Sequence, residues 1–464
     1  MKKLIAALIL VLLVSTTLTP VSDEKRWQPE NFKIMAYSSE LPFDDPVESI
    51  RFDQLTHVIY AFAIPRADGT LLPLAKPERL KALVREAHRH GVQVSIALGG
   101  WSYDGVPLAP NFEALAAREE SRRRLADEVM DLVNRYQLDG VELDWEYPTP
   151  ATAAHYEALV LELNSRLAPR GKLLSAAVGG SVTSLQGTDF VNGVSTRCLN
   201  AFDWIIVMAY DLYGTQHAPL WYADTSVDFW ASRGMPREKI ILGLPLYARP
   251  SWKQYRHLVA EDRNNAWRDY APGEPLESWY NGLGTLQEKT RLALLKAGGV
   301  MLFDIHEDTA DATSALTRIS LLKQRALESD PAALREEITC VMNTHAVSFG
   351  ALSETGRPYI SPENHLMLPV RRMADAMGAQ LSFDPLTETL VITKEHYRLT
   401  ASLRSSTVIV NGRPEEMNGP PQVVRDRAYL PGRLLMEALG YRLEWLNGSR
   451  TVLMDEMPKQ PAAR

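Results

Sequence analysis

Three acidic residues with strand-like spacing are the feature of this 464-residue sequence that most clearly suggests chemistry. They alternate with apolar residues in the run Val141, Glu142, Leu143, Asp144, Trp145, Glu146. This period-2 pattern predicts a β-strand with one apolar and one acidic face, whose neighbouring carboxylates lie about 6–7 Å apart. Because like charges oppose ionisation, such crowding keeps one carboxylic acid protonated near neutral pH, ready to donate a proton. The alternative is an edge strand with a solvated acidic face.

The elements around this strand follow a repeated strand-then-helix pattern from residue 32 to about residue 328. Strands are predicted at Lys33–Tyr37, Leu55–Ala63, Val92–Leu98, Leu138–Tyr147, Leu173–Gly179, Asp203–Tyr210, Lys239–Tyr247 and Gly299–Phe303. Helices are predicted at Pro77–His90, Glu119–Tyr136, Ala153–Ala168 and Thr285–Ala297. Most of the strands are continuous apolar runs, as expected of parallel strands covered on both faces. Eight such units predict an α/β fold, a (β/α)8 TIM barrel. An open doubly wound sheet is disfavoured, because no Gly-rich phosphate turn follows the first strand.

The ends of these strands resemble glycoside hydrolase family 18, the chitinase family. The family motif DxxDxDxE is matched by Asp139, Asp144 and Glu146, with Glu142 in place of the second Asp. Further resemblances are the second strand LTHVIYAFA, the segment Ala97–Gly100 (family SxGG), Met208–Asp211 (MxYD), Gly243–Arg249 (GxPxYGR) and Gly298–Phe303 (GGVMxW). Ala97 replaces a Ser and Phe303 a Trp. The matches span the whole barrel in the family's order.

The resemblance implies a catalytic set of Glu146, Asp144, Tyr210 and Glu142. Glu146 would be the general acid that protonates the glycosidic oxygen, then the base that activates water. Asp144 would hydrogen-bond the N–H of the substrate's 2-acetamido group, which is the nucleophile in this family. Tyr210 would hydrogen-bond the acetamido oxygen, and Asp139 would have a structural or indirect electrostatic role. Restoring the family residue by Glu142→Asp is expected to raise activity or change it little.

The residues expected to bind substrate are Tyr37, Phe62, Gly100, Trp101, Tyr147, Met208, Asp211, Arg249 and Phe303. Trp145 and Trp221 are further candidates for flat apolar faces against sugar rings, although alternation points Trp145 away from the carboxylates. The short loop between Arg249 and Gly298 is consistent with an open groove. The histidines show no ligand spacing, so the sequence predicts no metal site and no cofactor.

The N-terminus predicts export. Met1–Pro20 contains two lysines, the apolar run Leu4–Val14 and then small polar residues, a pattern typical of a secretory signal peptide over residues 1–22. The apolar run is too short to span a bilayer. The formal charge of −7 gives no indication of nucleic-acid or membrane-surface binding. The only two cysteines, Cys198 and Cys340, are expected in different domains, so no disulfide framework is predicted.

A second, smaller α+β domain is predicted after the barrel, which we bound at residues 30–328. Residues 329–337 are interpreted as a linker, 338–456 as the second domain and 457–464 as a disordered tail. Leu368–Arg371, Gly378 and Leu381–Phe383 recur at Leu430–Arg433, Gly440 and Leu443–Trp445, always 62 residues later. These repeats resemble the domain named after the N-terminal part of copper amine oxidases. His345, His365 and His396 show no ligand pattern, so copper binding is not expected. A spacer or wall-attachment role is favoured over direct glycan binding.

Together these features predict a secreted, extracellular or cell-wall-associated monomer that hydrolyses β-1,4-linked N-acetylglucosamine polymers. The favoured substrate is chitin or chitooligosaccharides, cleaved by substrate-assisted retaining catalysis. Peptidoglycan or spore-cortex glycan, which present the same acetamido group, is one alternative substrate. A non-catalytic lectin on the same barrel is another alternative function. The polysaccharide is the expected partner.

Overall fold

The computed structural model describes residues 29–40, 43–184, 187, 189–214, 216–328, 337–349, 356–446 and 449–457. The predicted signal peptide therefore lies outside the described residues, as do residues 329–336 of the predicted linker and 458–464 of the predicted tail. No helix among the described residues is long and apolar enough to cross a membrane.

Eight parallel strands close into a barrel, which confirms the predicted TIM fold. The strands are β1 Lys33–Ser39, β2 His57–Ala63, β3 Gln93–Gly99, β4 Gly140–Asp144, β5 Leu173–Gly179, β6 Trp204–Met208, β7 Ile240–Pro245 and β8 Gly299–Phe303. Each strand pairs with its neighbours in sequence, and β8 pairs with β1. The bounds of β5 and β8 are those predicted. The other predicted strands ran a few residues too long or stopped short.

Helices surround the barrel. They are α1 Pro77–Arg89, α2 Ala109–Ala117, α3 Glu119–Tyr136, α4 Ala153–Leu167, α5 Asp189–Asn192, α6 Thr196–Ala201, α7 Leu220–Ser232, α8 Tyr255–Glu261, α9 Leu283–Lys296 and α10 Ala315–Glu328. The predicted bounds of α3 are those observed. Pro occupies the first turn of α1 and α2, where its missing N–H has no intrahelical partner to lose.

The alternation of β4 separates two buried layers. Val141, Leu143 and Trp145 pack in the large apolar cluster formed with the helices. Glu142 and Asp144 are also buried, at 0% and 3% exposure, but they lie on the other side of the strand. The predicted apolar and acidic faces are therefore both covered, as in a closed parallel barrel. The solvated edge strand is excluded.

Asp139 lies at the start of β4, at the end of the barrel opposite Glu146. Its Oδ2 accepts hydrogen bonds from the backbone N–H of Val94 and from His88 Nε2, at 2.8 Å each. The carboxylate therefore ties the start of β3 and the end of α1 to β4. This agrees with a structural role rather than a place among the reacting groups.

The segment after β7 forms a small subdomain rather than an extended loop. Three short strands, Arg249–Pro250, Ser278–Trp279 and Tyr270–Ala271, form an antiparallel sheet. In sequence, helix α8 lies between the strands Arg249–Pro250 and Tyr270–Ala271. This subdomain carries Arg249 and Trp252 at the barrel mouth.

The second domain contains the predicted repeat. Its strands are β9 Thr339–Met342, β10 His345–Ala346, β11 Tyr359–Ile360, β12 Leu366–Pro369, β13 Gln380–Asp384, β14 Thr389–Lys394, β15 Tyr397–Ser402, β16 Thr407–Val410, β17 Arg413–Glu416, β18 Gln422–Val424, β19 Arg427–Pro431, β20 Tyr441–Leu446 and β21 Thr451–Glu456. Its helices are α11 Val370–Met377 and α12 Gly432–Glu437. The order β12-α11-β13-β14 recurs as β19-α12-β20-β21, so each repeat is a β-α-β-β unit. A separate apolar cluster fills this domain.

The two domains pack directly on each other. Val341 and Leu453 of the second domain are buried in the apolar cluster of the barrel. Gly284 of α9 meets Ser449 and Thr451 so closely that an added Cβ would lie 2.5 Å from Ser449 Oγ. Glycine is therefore required at this contact.

The last residue of the predicted linker, Glu337, is held by both domains. Its carboxylate pairs with Arg291 and Arg325 of the barrel and with Arg357 of the second domain, at 3.2, 2.6 and 2.9 Å. Glu337 therefore anchors the two domains to each other at the end of the predicted linker, whose bounds stay a prediction.

Candidate active site

The mouth of the barrel brings together the acids of β4 and the residues that follow it. Glu142 is deepest, Asp144 ends the strand, and Glu146 is half-buried two residues later. The strand thus carries its carboxylates from the closed interior towards solvent. This is the arrangement expected when one acid must meet a substrate while the others act on it from below.

Glu142 is satisfied by two hydroxyl groups. Tyr37 donates a hydrogen bond to Oε1, and Ser175 Oγ donates to Oε2 at 2.9 Å. Burial raises the pKa of Glu142 to about 7, although both hydrogen bonds act in the opposite direction. The longer acid is therefore accommodated in the barrel with a donor on each oxygen.

Asp144 has an oxygen that is buried and unused. Its Oδ1 has no hydrogen-bond partner within the described residues. Burial, the charge of Glu146 and the charge of Glu142 together raise the pKa of Asp144 well above its usual range. A buried polar atom without a partner is costly, so Oδ1 is placed to receive or donate a hydrogen bond when another group arrives.

Glu146 has the properties of a general acid near neutral pH. Burial raises its pKa to about 7, and the charge of Asp211 adds to the rise, whereas a hydrogen bond with Tyr147 opposes it. A carboxyl group with such a pKa is largely protonated at slightly acidic pH and can still release its proton. Its partial exposure leaves it accessible to a substrate.

The floor of the mouth is formed by Met208, Tyr210, Ala177 and Ala218, with Tyr147 and Phe303 packed beside them. The Phe303 ring stacks on Tyr210 at 6.3 Å and meets the edge of Tyr37 at 5.4 Å. Gly243 makes room for Tyr210, because a Cβ there would lie 2.8 Å from the Tyr210 ring.

Asp211 is held in position by a buried histidine. Its backbone is in the left-handed region, with φ +59°, and its N–H donates to Nδ1 of His217 at 3.3 Å. Nδ1 also lies 3.5 Å from Asp211 Oδ1, and Nε2 lies 3.3 Å from the carbonyl oxygen of Tyr247. Burial opposes ionisation of Asp211, but hydrogen bonds with His217 and Tyr247 and the charge of Arg249 lower its pKa overall. Asp211 thus remains an anion beside Glu146.

Aromatic side chains are exposed around the mouth. Trp252 stacks on Tyr247 with 5.5 Å between the ring centres, and the Arg249 guanidinium lies 3.9 Å from the centre of the Trp252 ring. Trp101 and Trp221 are more than half exposed. Gly100, with φ +94°, packs against the Phe62 ring and donates its N–H to the Asp144 carbonyl at 2.8 Å. Flat exposed rings beside polar groups are suited to binding sugars.

The structure brings most of the predicted site residues together, with two differences in orientation. Trp145 is 1% exposed and stacks on Phe112 behind the strand, so it cannot present a face to a sugar, as its alternation indicated. Tyr37 is 2% exposed and is used as a donor to Glu142 rather than as an open platform.

Three residues of the site were not assigned from the sequence: Ser175, His217 and Tyr247. Ser175 lies inside a plain apolar strand, and its proximity to Glu142 follows only from the register of β4 and β5. His217 lies in a loop, where no spacing rule applies. Tyr247 could have been found, because it is part of the matched segment Gly243–Arg249.

Comparison with known proteins finds chitinases among the relatives of this chain. A probable endochitinase of Caenorhabditis elegans is 33% identical over 231 residues, which is 42% of this chain and 36% of that protein. Chitinase 1 of Aphanocladium album is 29% identical over 306 residues, 55% of this chain and 65% of that protein. The chain thus spans less than two thirds of the length of these relatives.

Solved structures show the same fold. The family 18 chitinase ChiB of Flavobacterium johnsoniae has a TM-score of 0.56 and 29% identity, covering 64% of this chain and 94% of that one. A chitinase of Bacteroides thetaiotaomicron, at 21% identity and a TM-score of 0.54, covers 62% of this chain and 96% of its own, and agrees in fold.

Two family models match separate regions. The copper amine oxidase N-terminal domain matches residues 349–454, the repeat domain. Glycosyl hydrolases family 18 matches residues 33–308, which is more than half of the chain and contains every strand of the barrel. The chain therefore belongs to glycoside hydrolase family 18.

Proposed function

We propose that this protein hydrolyses β-1,4-linked N-acetylglucosamine polymers, with chitin as the substrate. The observation that carries the proposal is the half-buried Glu146, with its pKa near 7, above the unused oxygen of Asp144. The relatives named as chitinases support the choice of substrate. In a lectin, by contrast, nothing would require an acid poised to give up its proton near neutral pH.

The reaction follows from these positions. Glu146 protonates the glycosidic oxygen and later takes a proton from water. Asp144 Oδ1 accepts a hydrogen bond from the acetamido N–H, which orients the acetamido oxygen to attack the anomeric carbon. Tyr210 donates to that oxygen. The configuration is retained, because the acetamido group displaces the leaving group on one face and water then displaces the acetamido group.

The proposal includes export. The signal-peptide pattern of residues 1–22 supports secretion, and the second domain would then keep the enzyme at the cell wall. Expression of the full chain in a bacterial host that exports proteins, followed by N-terminal sequencing of the protein from medium and wall fractions, tests this. A full-length protein retained in the cytoplasm would contradict it.

The activity is tested by analysing products from chitin hexasaccharide and from purified peptidoglycan. Wild type is expected to release shorter N-acetylglucosamine oligomers from the first substrate. Glu146→Gln should reduce the rate by about three orders of magnitude or more while leaving binding largely intact, because the acid is lost and the shape is kept.

Glu113→Gln, an exposed acid on α2, serves as the matched control and should behave as wild type. Cleavage of peptidoglycan but not of chitin hexasaccharide would show that the substrate is the wall glycan. Binding without cleavage by the wild type would make the protein a lectin. A Glu146→Gln variant with the full rate would remove Glu146 from its proposed role.

A further inference from the structure

Ala97, Glu142 and Ser175 occupy one layer of the barrel. Strand pairing places Ala97 beside Glu142, and Glu142 beside Ser175. Residues in register on neighbouring strands point to the same side of a sheet. All three are at most 1% exposed. The layer is therefore closed to solvent, and the three side chains must fit one another.

The hydrogen bonds in this layer show how they fit. Ser175 Oγ lies 2.9 Å from Glu142 Oε2, while Oε1 is occupied by Tyr37. The methyl group of Ala97 is the smallest side chain that could flank the acid. An aspartate at position 142 would withdraw the carboxylate by one carbon–carbon bond, about 1.5 Å, and lose the Ser175 donor. The extra methylene of Glu142 is thus what brings its carboxylate to β5.

Apart from Tyr37 and Ser175, few groups around Glu142 could stabilise its negative charge. The titratable groups facing it are Tyr37 from β1, Asp144 on β4 and Tyr210 after β6. No lysine, arginine or histidine pairs with it anywhere in the part of the chain that the structure describes. The charge of a buried carboxylate without a cation depends on its hydroxyl donors.

We propose that Ser175 is a positioning residue that holds Glu142 as an anion beneath Asp144, and that Ala97, Glu142 and Ser175 form one size-matched set. The role of this set in catalysis rests on the function proposed above. The anion keeps the proton on Asp144 in the resting enzyme, because two adjacent buried charges oppose each other. Glu142→Asp alone is therefore damaging here, contrary to the expectation from the sequence.

The first test is the dependence of kcat on pH for wild type and Ser175→Ala. Loss of the donor raises the pKa of Glu142, so the acidic limb of the profile should move up by about one pH unit while the basic limb stays in place. KM should change little, since Glu142 does not reach the substrate. An unchanged acidic limb in an active enzyme would overturn the proposal.

The second test changes the sizes of two residues of the set, Glu142 and Ala97. Glu142→Asp is expected to reduce kcat by about tenfold or more, and Glu142→Asp combined with Ala97→Ser should recover most of it, because a hydroxyl on the neighbouring strand then meets the shorter acid. Full activity of the single Glu142→Asp variant would contradict a size-matched set.

The third test needs no activity, so it separates this inference from the proposed function. Thermal unfolding of wild type and Ser175→Ala is compared at pH 5 and pH 8. The pKa of Glu142 is raised in the folded state, so ionisation of this group destabilises the folded protein as the pH rises. Loss of the Ser175 donor makes that ionisation still less favourable. The Tm deficit of Ser175→Ala should therefore be larger at pH 8 than at pH 5. Ser226→Ala removes a buried hydroxyl whose hydrogen bonds, among the described residues, are to the backbone of Ser181, and it should give a pH-independent deficit. Equal deficits at both pH values in Ser175→Ala would refute the proposal even if no glycan is cleaved.

Discussion

Asp211 is a charged neighbour of Glu146. His217, Tyr247 and Arg249 keep Asp211 ionised, and its negative charge raises the pKa of Glu146. The site therefore tunes its acid through a residue that lies on another strand end. Burial supplies most of the shift, and Asp211 supplies an adjustable part.

The variant Asp211→Asn tests this coupling. Removing the charge of Asp211 lowers the pKa of Glu146, so Glu146 loses its proton at a lower pH. The basic limb of the kcat profile should therefore move down by about half a pH unit. The measurement is the pH profile of hydrolysis of a chromogenic chitobioside. Asp53→Asn, an exposed acid before β2 at the opposite end of the barrel, should leave the limb where it is. A basic limb that stays fixed in Asp211→Asn would show that burial alone sets the acid.

At the scale of single residues, the sequence predicted the acids better than their partners. The alternation of β4 was enough to predict that Glu142 and Asp144 share a face and that Trp145 does not. The partners Ser175 and His217 belong to other elements, and their contact with Glu142 and Asp211 depends on strand register and on a loop. A single sequence carries no local signal for either.

At the scale of elements, the packing of β6 against β7 depends on one missing side chain. A Cβ at Gly243 would meet the Tyr210 ring and the Val207 carbonyl oxygen, each at 2.8 Å. Because the backbone oxygen cannot rotate away, the ring or the strand must move. The position of Tyr210 is therefore set by the neighbouring strand.

The variant Gly243→Ala should lower kcat by about tenfold and stability by about 1–3 kcal/mol, since overpacking displaces Tyr210. Activity on chitin oligosaccharides and thermal unfolding are the measurements. Gly179→Ala, at the end of β5, is the matched control, because its new methyl group would meet nothing closer than 3.4 Å. If Gly243→Ala kept the wild-type kcat, the position of Tyr210 would not matter to the reaction.

The strand ends were the least predictable part of the barrel. The plain apolar strands β5 and β8 were predicted to the residue. β4 was predicted to run to Tyr147 but ends at Asp144. The last acid, Glu146, continues the alternation in sequence after the ladder has stopped, because the chain leaves the barrel there to form the site. Periodicity alone cannot show where pairing ends.

At the scale of the whole molecule, Glu337 joins the two domains. Burial opposes its ionisation, but Arg325, Arg291 and Arg357 together lower its pKa. The carboxylate and the side chain of Arg291 are both largely buried, at 12% and 2% exposure. Breaking a buried ion cluster by removing one member leaves the others uncompensated.

Glu337→Gln is expected to lower the free energy of unfolding by about 3–5 kcal/mol at pH 7. Since the folded pKa is below the usual 4.5, this contribution is present above that pH and disappears as the pH falls through the folded value. Denaturant unfolding at pH 7 and at about pH 2, where carboxylates are largely protonated, measures it. The exposed Glu328→Gln at the end of α10 is the control. A deficit of the same size at both pH values would exclude the ionic origin.

The burial of Val341 and Leu453 among the side chains of the barrel has a consequence for protein engineering. Appended modules of multidomain enzymes are commonly treated as interchangeable units that can be removed or exchanged at the linker. Here a cut after Glu328 would leave an apolar area of the barrel uncovered, and a foreign module would have to supply matching residues opposite Gly284. Such chimeras would therefore aggregate unless the contact surface is transplanted together with the module.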